Sequence, residues 1–218
     1  MTWGECKEIA LRKMFASDGG RLDDSDPGNA DYIAAMPAAA NEAMERIVSE
    51  AGRPLRQSVE IEPEGAAYVD MADHAMDFRS FGGTPEAYLV KDNGLAVLET
   101  AALGKSVLQL PKGISGTVRV FYNAAPEHIT QYTNDAEEMP LSEECNVLIP
   151  LYMAGELYKD DDVSLATVYM NEFESRLGSL AANENGYRGG SFTSVNLPAE
   201  SAAEAADALR SLKNKENE

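Results

Sequence analysis

Cysteine is scarce in this chain. Cys6 and Cys145, far apart among 218 residues, cannot build a disulfide framework and fit reduced thiols in a cytoplasm, each read as a small buried hydrophobe. Histidine is equally rare: His74 and His128 have no Ser or Cys nucleophile motif beside them. Basic side chains are outnumbered, with 18 Lys and Arg against 37 Asp and Glu, giving a net charge of −19. Such a surface repels nucleic-acid phosphates and argues against sequence-reading DNA binding. No run approaches the roughly 20 apolar residues of a membrane span. The opening "MTWGECKEIALRK" has no apolar signal core either, so no membrane association is expected.

Motifs of established chemistry are also missing. There is no G-x-S-x-G, no zinc-ligand set and no dinucleotide fingerprint. Gly104-Lys105-Ser106 fails as a phosphate loop because Glu99 stands where the motif's first glycine belongs. Asp70, Asp73, His74 and Asp77 form a conceivable metal group, but a loop-like stretch without selective ligand spacing carries them. The run Asp160-Asp161-Asp162 invites a calcium reading. An EF-hand begun at Asp160 needs Gly at its sixth position and Glu at its twelfth, where this chain has Leu165 and Asn171. Capping explains the run better: Asp161 or Asp162 can accept from a free N–H in the first turn of a helix and suits the positive end of its dipole. These three aspartates are therefore expected to be a structural turn, with no catalytic residue, metal or cofactor.

What is present is periodicity. "WGECKEIALRKMF", Trp3 to Phe15, reads as a first helix, and Asp31 to Gly52 as a second, with Pro37 as an alternative start. After Pro54 the stretches "LRQSVEIE", "EAYLVKD", "LAVLET" and "GTVRVFYN" read as strands, and Asn93-Gly94 signals a type I′ hairpin. Helical spacing returns in Leu148, Leu151, Tyr152, Gly155 and Tyr158, where Pro150 implies a kink or a helix starting near Ile149. A last stripe runs through Ala166, Tyr169, Met170, Phe173, Leu177 and Leu180. The fold class expected is α+β: a bundle of N- and C-terminal helices holding an inserted antiparallel β-sandwich-like unit, followed by an extended C-terminal arm. Its divisions fall at 1–53, 54–126, 127–182 and 183–218. Tyr32, Met36, Met44, Leu151, Tyr152, Tyr169 and Phe173 should share one core. Beyond Asn183 the Gly-, Asn- and Ser-rich stretch carries Tyr187, Phe192, Val195 and Leu197 before an Ala-rich helix, and reads as an anchored arm or an unstructured tail.

Three stretches, "YIAAMPAAANEAMERIV", "GTVRVFYNAAPEHIT" and above all "LIPLYMAGELYKDDDVSLATVYMNEFESRL", resemble the head-to-tail adaptor proteins of tailed bacteriophages and prophages, also called connector or neck proteins. In that family a Tyr-x-x-x-Met-Pro-x-x-Ala-Asn-Glu-Ala helix precedes a β-rich insert, a Tyr-Asn-Ala-x-Pro-x-x-Ile-Thr turn follows it, and a helical hairpin closes the core. The similarity covers most of Tyr32 to Leu180 and leaves the arm unmatched.

The resemblance implies a structural virion protein that assembles in the bacterial host cytoplasm and resides in the neck. There it forms a ring, commonly a dodecamer, that docks on the portal protein and meets a downstream tail or neck protein. DNA passes through the channel without sequence-specific binding. An acidic wall suits that passage, because it leaves a duplex free to slide, while self-repulsion favours basic residues at subunit contacts. Tyr187, Phe192, Val195 and Leu197 are then the residues expected to touch the portal or a neighbouring copy. A competing reading is a carbohydrate- or protein-binding module of the tail carried by the β unit, marked by outward aromatics such as Tyr88 or Tyr122. A metal-dependent enzyme ranks third.

Overall fold

The computed structural model describes residues 1–15 and 29–188, with 183–188 as backbone alone. It is an α+β chain of helices and two antiparallel sheets. Two compact units divide the chain, Met1–Ala182 and Asn183–Glu218, and only the first has its side chains described.

Helix α1, Trp3–Phe15, is held at both ends. Thr2 and Glu5 make a capping box: Glu5 Oε2 accepts from the Thr2 N–H at 2.9 Å and Thr2 Oγ1 from the Glu5 N–H at 3.3 Å. The N–H groups of Trp3 and Gly4 donate to the carbonyls of Glu137 and Asp135. A Cβ on Gly4 would lie 3.0 Å from the Asp135 carbonyl oxygen, so this close approach needs glycine. At the other end the Tyr169 hydroxyl donates to the carbonyl of Lys13, a group that a helix terminus leaves unpaired.

Helix α2, Ala30–Glu50, runs straight through Pro37, so the alternative start at that proline does not occur. The missing N–H and the ring clash cost about 3 kcal/mol in an isolated helix. Burial of Met36, Ala39, Ala40, Ala43, Met44, Ile47 and Val48 along one face offsets it. Gly52, at φ +65°, lies just beyond the helix and turns the chain.

A single turn, α3 (Glu143–Asn146), leads into α4, Ile149–Leu157, whose first turn contains Pro150. Of the two alternatives for that proline, the start at Ile149 is the one observed. The expected apolar stripe is not: every residue from Ile149 to Gly155 is buried, so α4 has no solvent face along that run. Helix α5, Val163–Arg188, extends past Leu180, and its backbone stays helical through Asn183 and Tyr187, where an extended arm was expected to begin. Among its residues Ala166, Phe173, Leu177 and Leu180 are buried.

One core joins α1, α2, α4 and α5 and includes Leu11, Met36, Met44, Ile47, Leu151, Tyr152, Met153 and Phe173. Tyr169 lines it from the side. Tyr32 stands apart, half-buried, with its ring edge-on to Phe15 at 5.3 Å. Gly155 sets how closely α4 and α5 cross, since a Cβ there would lie 3.2 Å from the Ala166 carbonyl oxygen and 3.3 Å from the Met170 nitrogen. Arg46 of α2 covers the crossing: its guanidinium lies over the rings of Tyr152 (5.7 Å) and Phe173 (5.3 Å) and pairs with Glu50 and Glu174 at 2.8 Å each.

Between α2 and α3 lie eight strands. β1 (Leu55–Ile61), β3 (Phe78–Ser80), β4 (Glu86–Lys91), β5 (Gly94–Val97) and β8 (Val118–Ala124) form one sheet, in the order β1-β8-β4-β5 with β3 also on β8. β2 (Tyr68–Asp70), β6 (Ala101–Leu103) and β7 (Val107–Gln109) form the other, in the order β2-β7-β6. A second core takes Ile61, Ala87, Val118 and Val120 from the first sheet and Val69 and Leu108 from the second. The β4–β5 hairpin forms, but not with the expected type I′ turn. Lys91 pairs with Gly94, so Asp92-Asn93 is the loop. Neither of those residues has positive φ, and the glycine after them does, at +133°.

Two polar joints tie the helices to the strands and to the segment that follows them. Arg79 in the bulge of β3 grips Glu45 of α2 with both terminal nitrogens at 2.6 Å. The Asn41 amide pairs with the backbone of Ile129 like a strand, donating to its carbonyl and accepting from its N–H at 2.8 Å each.

Phe173→Ala should lower stability by about 3–5 kcal/mol in urea unfolding, as a large-to-small change in a closed core; a loss under about 0.5 kcal/mol would contradict its burial. The Arg79 guanidinium holds the Glu45 carboxyl below its ordinary pKa of 4.5. That stabilisation is complete above this value and fades as pH falls through the lower folded-state pKa. Glu45→Gln should therefore lose less stability than the parent between pH about 7 and about 3; identical acid limbs in the two proteins would rule the linkage out.

Candidate interaction surface

The triple aspartate is a turn with one capping residue. The N–H groups of Asp161 and Asp162 donate to the Tyr158 carbonyl, and Asp162 Oδ1 accepts from the Leu165 N–H at 2.9 Å, the N-cap bond of α5. Asp161 instead accepts from the Tyr32 hydroxyl, and that bond heads the causes that push the phenol up to about 12. The Asp160 side chain is exposed and forms no hydrogen bond or ion pair among the described residues. Tyr187 lies in the backbone-only end of α5, and Phe192, Val195 and Leu197 lie outside the described residues.

The other candidate groups have local roles. Asp70 accepts from the Ala72 N–H, Asp77 accepts from the buried Tyr122 hydroxyl at 2.7 Å, and His74 is exposed. Among the described residues no cluster of three or more His, Cys, Asp or Glu is arranged to hold a metal ion. Gly104-Lys105-Ser106 connects β6 to β7, with Gly104 at φ +70°, and no helix begins there. Burial pushes the Cys6 thiol up to about 12, its Sγ lying 3.6 Å from the sulfur of Met153, and raises the Cys145 thiol as well. His128 lines a shallow polar cavity of about 290 Å³ with Thr130, Tyr132 and Glu137.

Apolar and aromatic groups collect instead on the outer face of the larger sheet. Strand alternation and register set Glu60, Arg119, Tyr88 and Val97 in one cross-strand row and Ser58, Phe121 and Glu86 in the next. Val118, Val120 and Tyr122 point the other way and are buried. Tyr88 and Phe121 meet edge to face at 5.8 Å. Arg56 lies over the Phe121 ring at 5.9 Å and pairs with Glu86 at 2.9 Å, and Arg119 pairs with Glu60 at 2.6 Å. At the margin Leu95 and Val97 are 46% and 78% exposed. A groove of about 510 Å³ opens beside them, lined by Pro85, Tyr88, Val97, Leu98 and Thr100. Of the two aromatics considered from sequence, Tyr88 faces outward and Tyr122 inward. Phe121 joins Tyr88, and alternation within "GTVRVFYN" was the signal for it.

Every arginine with a described side chain is paired with a glutamate of the same chain. Lys91, Lys105 and Lys112, all in the β unit, form no ion pair among the described residues, so few cations are left to offset the acidic surface. No helix of the described residues is long and apolar enough to cross a membrane. No family model matches the chain, and no curated protein matches it either.

Asp162→Ala should cost about 1 kcal/mol through the lost cap, whereas Asp160→Ala should stay within about 0.5 kcal/mol of the parent. Millimolar calcium should leave the melting temperature unchanged; a rise of several degrees would make the turn a cation site.

Proposed function

We propose that this chain is a head-to-tail adaptor of a tailed bacteriophage: a structural virion protein that forms a ring, docks on the portal and extends the DNA channel toward the tail. The architecture that goes with this reading is a helical bundle with an inserted β-sandwich-like unit and a C-terminal arm. The motifs themselves carry the proposal. In support, the three stretches that resemble the adaptors lie next to one another in space. The Asn41 of the Ala-Asn-Glu-Ala helix is hydrogen-bonded to Ile129 of the Tyr-Asn-Ala-x-Pro-x-x-Ile-Thr turn, and Arg46 of that helix stacks on Tyr152 and Phe173 of the hairpin. The charge of −19, with every described arginine already engaged by a glutamate, suits a wall that DNA must slide past rather than grip.

The second reading, a carbohydrate- or protein-binding module of the tail, is favoured by one observation, the outward Tyr88–Phe121 pair beside an open groove. Tyr88→Ala should leave ring formation and portal binding intact if the adaptor reading holds.

Two-dimensional class averages of the purified full-length protein, alone and mixed with portal rings, test the proposal directly. Closed rings, commonly of twelve copies, and portal particles extended by one more ring are expected. A chain ending at Arg188 should keep the parent's melting temperature and lose portal binding, as expected if Phe192, Val195 and Leu197 reach the portal or a neighbour. Full-length protein that forms no ring and leaves portal particles unchanged would remove the adaptor reading.

A further inference from the structure

Sheet edges recruit further strands, and folded chains guard them with charge, proline or a covering element. The larger sheet ends in β1 on one side and β5 on the other. The Val90 N–H donates to the Thr117 carbonyl at 2.9 Å and the Leu98 N–H to the Ala87 carbonyl at 3.0 Å. Combined with the register, these bonds fix by alternation which backbone groups face outward. On β1 they belong to Arg56, Ser58 and Glu60, so charge guards that edge. On β5 they belong to Leu95 and Val97. The strand Gly94-Leu95-Ala96-Val97 has neither charge nor proline, and both of its large side chains are exposed.

We propose that the β5 edge is a self-pairing surface at which two copies of this chain join antiparallel about a two-fold axis through Ala96. Charge selects the occupant. Two chains of −19 each repel one another over most of their surfaces and can approach most closely where carboxylates are absent, as they are along β5. The edge is also complementary to itself. With Ala96 opposite the partner's Ala96, Leu95 falls opposite the partner's Val97 and Val97 opposite the partner's Leu95. These are the residues whose N–H and C=O groups face outward, so each pair exchanges both of its main-chain hydrogen bonds. The Leu95 and Val97 side chains of both copies then meet on one face, next to Tyr88 and Val90. A contact this small belongs with transient interfaces, below about 1,200 Å², so association should depend on concentration. Because a two-fold contact closes on itself, it is additional to the contacts that build a ring and independent of the adaptor reading.

The test is a cross-link in the full-length chain. Directly opposed residues of a non-hydrogen-bonded antiparallel pair have Cα atoms about 4.5 Å apart, within the range a disulfide spans. The native Cys6 and Cys145 are 0% and 2% exposed and do not compete. On mild oxidation the A96C chain should run as a covalent dimer on a non-reducing gel, and adding Val97→Lys should abolish the dimer. Sedimentation of the parent at rising concentration should show monomer converting to dimer, with Val97→Lys or Leu95→Lys remaining monomeric. Both positions are exposed, and circular dichroism checks that each variant stays folded. An A96C chain that stays monomeric on oxidation, or a cross-link that survives Val97→Lys, overturns the proposal. Rings without the cross-link remove the self-pairing and leave the adaptor; the cross-link without rings does the reverse.

Discussion

Helix α4 determines how the other helices are arranged. From Ile149 to Gly155 every residue is buried, so each neighbour must present an apolar face and each must come close. The alanines of α2 at positions 39, 40 and 43 and the missing side chain of Gly155 allow that approach. Cys6 meets Met153 in the same contact, sulfur to sulfur, from α1. Arg46 then seals one side, spreading its guanidinium over the two aromatic rings that α4 and α5 place side by side. A helix buried on all sides needs every surrounding element in place at once, which makes the bundle cooperative.

The β unit obeys a different rule. Its core residues belong to clusters separate from those of the helices; Arg79 joins it to the bundle through an exposed ion pair with Glu45, while Ile129, just past the strands, is buried in the helical core and held by Asn41. Hydrophobic burial organises each part, while hydrogen bonds and one bidentate ion pair set their relative placement. Charge has a further effect. With every described arginine engaged by a glutamate of the same chain, little positive charge is left to offset the acidic excess when copies approach one another.

Much of this was legible in the residues. The spacing over Trp3 to Phe15 matched the helix, and a strand formed in each of the four segments read as strands, although β5 stops at Val97, and the short strands β2, β3, β6 and β7 were not legible. The aspartate run forms a turn through the Tyr158 carbonyl, and of the two capping candidates the bond falls on Asp162. Other features were hidden for identifiable reasons. Pro37 suggested a helix start because local propensity opposes an interior proline, and tertiary burial overruled it. The stripe read in α4 was an artefact of uniform burial: when every face is apolar, periodicity carries no information about which one is covered. Asn93-Gly94 correctly marked a hairpin but not its loop, because glycine just after the loop residues serves as well as glycine within them. Tyr32 was placed in the core by its helical spacing from Met36, whereas near the start of the helix it is half-buried and its hydroxyl donates to Asp161. The outward face of Tyr88 and Phe121 emerged only once strand register was known.

The position of the β unit's two ends has a consequence for how this chain can vary. Leu55 and Ala124, the first residue of β1 and the last of β8, stand directly opposite each other. The two ends of the β unit are therefore about 5 Å apart. To the bundle, everything between is equivalent to one short loop, and the entropy of closing that loop changes only slowly with the number of residues it contains. The insert is therefore a cassette. It can be lengthened, trimmed or exchanged while the helices keep their geometry, provided that Arg79 still finds Glu45, and surface diversity can accumulate there without disturbing the helices that hold it.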